Sequence, residues 1–458
     1  MGTAGAAYRK KGHPRALRRK AQKKAFARWR GAYAPKLIVL TRRLGYPVRA
    51  PLCSKDPTEV LDPRVIEDPH PFFARLRREH PISRVGDTGV HLIATWDLID
   101  EVLHREADFS ANITGTLIRD DHGHPAVFAF PVTTSSQVIA MADEPRHAVH
   151  RGISKPPLSA EQIAGLEDRI RAWALDALEP WLAAGGGEFV PIAELIPARA
   201  VAHVLGLPAD DVMLFRKWAM MAGDMLAGGV SLSQMVAFGV ETGQMAEYLG
   251  KHFEAAMHET QTGPEAPMLH ALATGVQAGA INTEEAVGIA IVMFGAGGES
   301  TAALIASTMR LLASKPAVAD ELRRSPEQIP KFIEEVVRLE PPFKFHYRSV
   351  RQHCELGGME LEPGDRLMLL WASANRDEEV FEDPDSLRLD RRYPKRHMSF
   401  GRGAHFCIGA TLARLEARVI FEEVISRTNH IALVADSPPT HTQSIFVRRL
   451  ESIQVEVS

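Results

Sequence analysis

The chain has 458 residues, of which 45% are hydrophobic and 24% charged, with a formal net charge of -3. Three cysteines are too few for a disulfide framework or a tetrahedral zinc site, and a sparse, odd count is typical of a reducing compartment. No apolar run approaches the roughly 20 residues of a membrane-spanning helix, and no secretory signal is recognisable. The sequence therefore predicts a cytoplasmic globular protein without a transmembrane anchor.

The amino-terminal segment differs in charge from the rest. Residues 1–55 contain 16 Lys or Arg and no Asp or Glu. Such a segment is typical of a solvated, poorly ordered extension, and it could also make weak contact with an anionic membrane surface or an acidic partner. No nucleic-acid partner is expected. We therefore predict two parts, a basic extension over residues 1–55 and a single domain over residues 56–458.

The first half of this domain mixes one strand with helices. A helical pattern begins near Pro71, and the segment from Val90 to Ala94 alternates as a short strand does. Residues 109–141 are predicted to be an irregular loop, whose length indicates a functional role. From Ser159 to about Ser314 helix-forming residues dominate, and Thr283 is predicted to open a long helix.

The second half contains small sheets as well as helices. A turn over residues 361–366 precedes an apolar run from Leu367 to Trp371, which predicts a buried strand. A helix is predicted from Leu412 to Ser426, followed by strand-like segments. The predicted fold class is therefore mainly α with small β-sheets.

The strongest chemical signal is the segment FGRGAHFCIG at residues 400–409. Its glycines allow positive φ angles and a close approach of the backbone to a flat ligand. Cys407 stands just before a predicted helix, where exposed amide groups stabilise a thiolate. A stabilised thiolate can serve as an axial iron ligand. A glycine-rich loop around a buried structural cysteine explains the segment equally well at this point.

This segment resembles the signature of the cytochrome P450 family, in which Phe, Gly, a basic residue, Cys and Gly recur in this order. The resemblance implies a large helical part, a smaller β-rich part, and heme b between a long central helix and the thiolate loop. It implies that Cys407 is the iron ligand. It also implies cofactor contacts for the loop residues Phe400, Gly401, His405 and Gly409.

A second match lies in the string EVVRLEPP at residues 335–342. An i, i+3 pair such as Glu335 and Arg338 is common on helix surfaces and by itself indicates little. The whole string, however, resembles the Glu-x-x-Arg helix of the same family. The resemblance implies that Arg391, from a downstream meander (residues 375–391), joins the pair in a structural role beside the thiolate loop.

A third match is the segment GAGGEST at residues 295–301, inside a helical run. Each mid-helix glycine costs about 1 kcal/mol relative to alanine, which indicates a close approach of a ligand or an opened helical turn. The segment resembles the oxygen-activation stretch of the family, with Ala296 beside the heme and Glu299 relaying protons. Ser300 stands where relatives carry Thr, and Thr301 could replace it if the helix register shifts.

A fourth match places basic groups for the heme propionates. His147 and Arg151 lie four residues apart and therefore share a helix face. The resemblance implies that these two residues, together with Arg348 and His405, bind the propionates. Each would otherwise be interpreted as an ordinary solvated surface residue.

Together the matches imply a monooxygenase that inserts one oxygen atom of dioxygen into a hydrophobic substrate, such as a lipid, sterol, terpenoid or polyketide. The expected electron donors are a ferredoxin and its NAD(P)H-dependent reductase. The basic residues Lys395, Arg396 and Arg402 could attract such an acidic carrier, and an ordinary solvated face explains them equally well. A peroxide-using heme-thiolate enzyme is one alternative. A non-catalytic heme or ligand-binding protein of the same fold is another.

Overall fold

The structure is a computed structural model that describes residues 56–120, 122–130, 137–221, 223–229, 232–259, 263 and 265–458. Residues from Asp56 to Asp120 and from His124 to Ser458 belong to one compact unit. The predicted basic extension over residues 1–55 lies outside the described residues, so it stays a prediction.

Helices dominate the described chain. Those before the central helix are α1 (Pro63–Glu67), α2 (His70–Glu79), α3 (Trp96–His104), α4 (Arg146–Ser154), α5 (Ala160–Ala164), α6 (Glu167–Ala183), α7 (Val190–Leu205), α8 (Val212–Met221), α9 (Leu232–His258) and α10 (Met268–Gln277). The central helix and those after it are α11 (Thr283–Ala313), α12 (Pro316–Arg324), α13 (Ile329–Leu339), α14 (Trp371–Ala374) and α15 (Ala410–Arg427).

The strands are short and form small sheets. In chain order they are β1 (Ile82–Arg84), β2 (Val90–Ile93), β3 (Phe109–Ser110), β4 (Gly115–Arg119), β5 (Pro125–Ala129), β6 (Gly186–Glu188), β7 (His346–Val350), β8 (Cys354–Leu356), β9 (Met359–Leu361), β10 (Arg366–Leu369), β11 (Ile431–Leu433), β12 (Thr440–His441), β13 (Leu450–Ser452) and β14 (Gln454–Val457). The largest sheet has the order β1-β2-β10-β7-β3, with β2 and β10 parallel. The remaining sheets are β11-β14-β6 and the pairs β4-β5, β8-β9 and β12-β13.

The predicted start of the long helix at Thr283 is confirmed, and a capping box explains it. The Asn282 side chain accepts the backbone N–H of Glu285 at 2.9 Å, and Glu285 accepts the backbone N–H of Asn282 at 2.8 Å. These reciprocal bonds satisfy amide groups that a helix start otherwise leaves unpaired. Helix α11 contacts α7, α8, α9, α10, α12, α13 and α15, so it is the centre of the helical part.

Helix α11 is also the one helix of the described chain that is long and apolar enough to cross a membrane by length and composition. Its most apolar 18-residue window has a mean hydropathy of 1.6, although glycines and polar residues interrupt it. Within the protein, 67% of that window is buried. Burial among other helices accounts for its apolar composition.

Two boundary predictions are wrong. Residues 109–141 were expected to be irregular, yet they contain β3 and the hairpin β4-β5. The hairpin depends on a distant contact, because the Tyr347 hydroxyl accepts the Leu117 backbone N–H at 2.9 Å. The apolar run from Leu367 was expected to remain a strand through Trp371, but Trp371 begins α14. The predicted carboxyl-terminal helix is confirmed as α15.

Candidate functional site

The glycine-rich loop over residues 400–409 forms a tight turn that presents Cys407. Gly401 and Gly403 have φ angles of 68° and 67°, a region that residues with a Cβ rarely adopt. The Cys407 backbone N–H donates to the Phe400 carbonyl at 2.8 Å, which closes the loop. Helix α15 begins at Ala410, three residues after the sulfur.

The Cys407 side chain is exposed, although protein atoms surround it closely. Burial by this neighbouring protein raises the pKa of the thiol. The backbone amides of Gly409 and Ala410 act in the opposite direction and lower it. The side chain is therefore accessible although protein surrounds it, and the amides at the start of helix α15 act to stabilise its anion.

The pair of Glu335 and Arg338 lies in the core rather than on a helix surface. Both side chains are 0% exposed, and two hydrogen bonds of 2.8 and 2.9 Å join them. Arg391 donates from Nε to Glu335 at 2.9 Å, which is the triad that the sequence predicted. Arg338 also donates to the carbonyls of Asn375 and Ser386. The triad therefore ties α13 to the meander segment before the thiolate loop.

A second buried cluster, which the sequence reasoning missed, supports the loop from the other side. Glu334 accepts from His397 at 2.8 Å and from Arg414 at 2.5 Å. Burial would raise the pKa of Glu334, but these hydrogen bonds outweigh it and lower the pKa to about 2. The Arg414 guanidinium lies 4.4 Å from the centre of the Phe400 ring. Two adjacent glutamates in one helix were the only sequence signal for this cluster.

The middle of α11 has one accessible face in an otherwise buried helix. Ala296 is exposed, and Ser300 is half-buried with its hydroxyl donating to the Ala296 carbonyl at 2.6 Å. Thr301 is 3% exposed and therefore lies on a different face. The helix is continuous, so no register shift brings Thr301 to the accessible side.

Glu299, which neighbours Ser300 in the chain, is fully buried. Its Oε2 accepts the backbone N–H of Gly223 at 2.7 Å, and its Oε1 lies 3.2 Å from Arg449 Nε. Burial raises the pKa of Glu299 to about 8, while Arg449 acts to lower it and Asp224 to raise it. At neutral pH this carboxyl therefore holds its proton for most of the time.

The glycines of α11 are explained by helix packing. A Cβ at Gly297 would lie 2.5 Å from Val201 Cγ2, and a Cβ at Gly298 would clash with the Ala219 Cβ. The sequence predicted a close approach of a ligand, but at Gly297 and Gly298 the groups that approach closely are helices α7 and α8. The helix does not open into a widened turn at these positions.

We expect Gly298→Ala to destabilise the protein by about 1–3 kcal/mol, because the added methyl overpacks the contact with Ala219. A Cβ at Gly250, inside α9, meets nothing within 4 Å. The control substitution Gly250→Ala should therefore raise stability by about 0.4–1 kcal/mol. Urea unfolding followed by circular dichroism measures both changes, and equal effects would refute the packing explanation.

Basic side chains gather beside the thiolate loop. The rings of His147 and His405 are stacked with centres 3.9 Å apart. Arg151 Nη1 donates to the Phe406 carbonyl at 2.8 Å, so it holds the loop backbone. Arg348 is 9% exposed and donates to the Tyr347 carbonyl at 2.9 Å. Burial, the positive charge of Arg348 and the neighbouring basic groups lower the pKa of His405 to about 3, so its ring is neutral.

A cavity of about 260 Å³ opens at this basic cluster, and Arg348, Ala404 and His405 contribute to its wall. His405 Nδ1 is buried without a hydrogen-bond partner within the described chain. Heme has a flat apolar body, an iron centre and two carboxylates. An accessible cysteine sulfur, an accessible helix face at Ala296 and donors at the cavity match those features, so the residues fit the group.

A histidine, His346, lies in a cluster of aromatic side chains. His346 lies against Phe343 and Phe446, with ring centres 5.5 Å apart in each case. Its Nδ1 accepts the Trp371 indole N–H at 2.6 Å, which places the ring hydrogen on Nε2. Lys344 is buried and donates to the Ser444 carbonyl at 2.6 Å. Lys344 therefore helps fix the carboxyl-terminal turn.

A profile described as Cytochrome P450 matches residues 327–457. Cytochrome P450 144 of Mycobacterium tuberculosis is 36% identical over 413 residues, which cover 88% of this chain and 92% of the relative. Putative cytochrome P450 YjiB of Bacillus subtilis is 27% identical, with 85% and 94% covered.

Solved structures agree with these sequence matches. CYP109E1 from Bacillus megaterium, in complex with testosterone, is 26% identical with a TM-score of 0.74, over 86% of this chain and 99% of that one. CalO2 superposes with a TM-score of 0.76 at 25% identity, over 88% and 98%. The fold is thus the mainly helical one that the sequence predicted. The chain belongs to the cytochrome P450 family of heme-thiolate monooxygenases and uses heme b as its cofactor.

Proposed function

We propose that Cys407 would supply the thiolate that holds the heme iron in a cytoplasmic monooxygenase, which oxidises a hydrophobic substrate. The observation that carries this proposal is the Cys407 side chain, which is exposed and whose pKa the amides of Gly409 and Ala410 act to lower. When bound, the heme supplies dioxygen activation and oxygen-atom transfer. The remaining steps depend on the side chains around it.

Several residues are proposed to hold the cofactor. Arg348 and the stacked pair His147 and His405 donate toward its carboxylates, and Arg151 steadies the loop through Phe406. Ala296, on the accessible face of α11, would contact the cofactor as well. Further contacts come from the loop residues Phe400, Gly401 and Gly409.

Ser300 and Glu299 are proposed to transfer protons to the reaction site. The Ser300 hydroxyl lies on the accessible face of α11 and can exchange its bond to the Ala296 carbonyl for a bond to a substrate or water. Glu299 holds a proton at neutral pH inside the protein. Thr301 is buried, so it is the weaker candidate for this role.

The substrate is proposed to be a lipid, sterol, terpenoid or polyketide. The aromatic side chains of Phe343 and Phe446 favour an apolar ligand, and the Nε2–H of His346 offers a donor to a carbonyl or hydroxyl oxygen. The structural relative CYP109E1 was solved with testosterone and with corticosterone, both apolar steroids. We propose a ferredoxin and an NAD(P)H-dependent reductase as electron donors.

The reduced, carbon monoxide-treated protein tests this function. We expect a strongly red-shifted Soret band, which reports thiolate ligation. Titration with a steroid, a fatty acid and a terpenoid should then shift the Soret band of the oxidised protein for at least one class. Turnover with hydrogen peroxide in the absence of a reductase would favour a peroxide-using enzyme. Lack of a dioxygen complex after reduction would favour a non-catalytic heme protein.

We expect Ser300→Ala to reduce product formation by about 10-fold or more, since positioned proton transfer contributes about 10²–10⁴-fold to rates. Hydrogen peroxide released per NAD(P)H consumed should rise correspondingly. Ser314 makes the same bond to the carbonyl four residues earlier, Arg310, at 2.6 Å. The control Ser314→Ala should leave both quantities unchanged. Unaltered peroxide release in Ser300→Ala would show that its role is misassigned.

A further inference from the structure

Glu299, the buried residue of the proposed proton relay, lies beside charged side chains that the fold brings together from distant segments of the chain. Arg449 precedes β13, and its carbonyl accepts the Thr442 N–H at 2.9 Å, which anchors its backbone. From this position its guanidinium lies 3.2 Å from Glu299 Oε1 and 3.5 Å from Asp224 Oδ1. One cation thus bridges two carboxyl groups.

The two carboxyl groups differ in their access to solvent. The Glu299 side chain is 0% exposed, that of Arg449 15%, and that of Asp224 31%. The group therefore runs inward from a partly exposed carboxyl to one that has no contact with solvent. Asp224 is the outer carboxyl of the two.

The second oxygen of Glu299 is also held. The Gly223 N–H donates to Oε2 at 2.7 Å, and a Cβ at Gly223 would clash with both Glu299 and Val447. Glycine is therefore required for this backbone to approach the carboxyl. Gly223 and Asp224 are neighbours, so one short segment supplies both the amide donor and the outer carboxyl.

A neighbouring ion pair, Glu194 and Arg216, lies beside Arg449. Glu194 lies 3.8 Å from Arg449 Nη1 and 2.7 Å from Arg216 Nε. Because Arg216 bonds Glu194 closely, Arg449 remains available to the other two carboxyls. Burial raises the pKa of Asp224 above its ordinary value. The charge of Arg449 acts to lower this pKa, and the charge of Glu451 acts to raise it.

We propose that Arg449 is a positioning residue for Glu299, and that Asp224 is the outer carboxyl through which Glu299 exchanges protons with solvent. This inference rests on the proposed role of Glu299 as a proton donor. A hydronium ion of the solvent gives a proton to the Asp224 carboxylate and becomes water. The neutral Asp224 then passes a proton to the Glu299 carboxylate and becomes a carboxylate again. Arg449 keeps both groups in place.

Infrared spectroscopy of the heme-loaded protein tests the proposal, because a protonated buried carboxyl has a distinct C=O stretch. The band of Glu299 is identified by its loss in Glu299→Gln. In the unmodified protein we expect it to disappear near pH 8. The buried carboxyl of Glu416, whose pKa burial also raises, provides an internal control band that the variants should leave unchanged.

The variants are expected to move the Glu299 titration in opposite directions. Arg449→Met removes an opposite charge and should raise the titration midpoint by about 1–3 pH units. Arg449→Lys retains the positive charge, so the midpoint of the Glu299 titration should stay near that of the unmodified protein. Asp224→Asn removes a like charge and should lower the midpoint. A midpoint unmoved in Arg449→Met would overturn the role of Arg449.

The proton path is tested by transfer into D₂O, which shifts the Glu299 band as its proton exchanges. We expect Asp224→Asn to slow this exchange by about 10-fold or more. Exchange at the unmodified rate would overturn the path through Asp224. Each variant should retain the red-shifted carbon monoxide band. Absence of that band in the unmodified protein would instead contradict the proposed function, while the infrared result would still report on Glu299.

Discussion

Replacement of Cys407 by histidine is expected to abolish the red-shifted carbon monoxide band and the oxygenase activity together. A neutral imidazole can still bind iron, but it lacks the electron donation of a thiolate that favours O–O cleavage. The expected loss of product formation is at least about 100-fold, which corresponds to a barrier increase of roughly 3 kcal/mol. Absorption spectra of the reduced protein and product analysis measure the two effects.

Cys354 supplies a matched control for this substitution. It lies on β8, where it pairs with Leu361 of β9, and it is half-buried. We expect Cys354→Ser to retain both the band and the activity. If Cys407→His retained the band, or Cys354→Ser lost it, the assignment of the thiolate to Cys407 would be refuted.

The second large effect is expected at the buried triad. Glu335→Gln leaves Arg338 in the core without its countercharge, and removal of one partner of a buried pair costs about 3–5 kcal/mol. Because the triad joins α13 to the meander, heme retention should fall as well. Urea unfolding and the heme content of the purified protein provide the measurements.

This cost should depend on pH in a defined direction. Burial acts to raise the pKa of Glu335, but the hydrogen bond and charge of Arg338 outweigh it and lower the pKa below the ordinary value of 4.5. A carboxyl with a lowered pKa contributes stability above its unfolded value, and that contribution is lost as the pH falls. The difference between the two proteins should therefore be largest above pH 4.5 and shrink in acid.

An exposed ion pair provides the control. Glu101 lies 2.6 Å from Arg105, with 45% of the Glu101 side chain exposed. Glu101→Gln should cost less than about 1 kcal/mol, because water screens the pair. A cost for Glu335→Gln no larger than this would mean that the buried triad does not stabilise the fold.

The sequence predicted elements whose signals are local. The capping residues before Thr283 and the apolar period of α15 specify helix starts and faces within a few residues. The glycine-rich loop is equally local, because positive φ angles at Gly401 and Gly403 are a property of those residues alone. These features were predicted correctly from residue spacing. The hairpin β4-β5 was missed because its contact with Tyr347 joins positions far apart in the chain.

The family, the class of chemistry and the candidate thiolate at Cys407 can be predicted from short motifs in the amino-acid sequence. The partners of those motifs depend on the tertiary structure. In the folded protein Glu334 accepts a hydrogen bond from Arg414, and Gly298 packs against Ala219. Arg449 lies beside Glu299, although the two residues are 150 positions apart in the chain. Such contacts depend on the packing of whole helices and on burial from water. Neither property can be calculated from the spacing of residues along one chain.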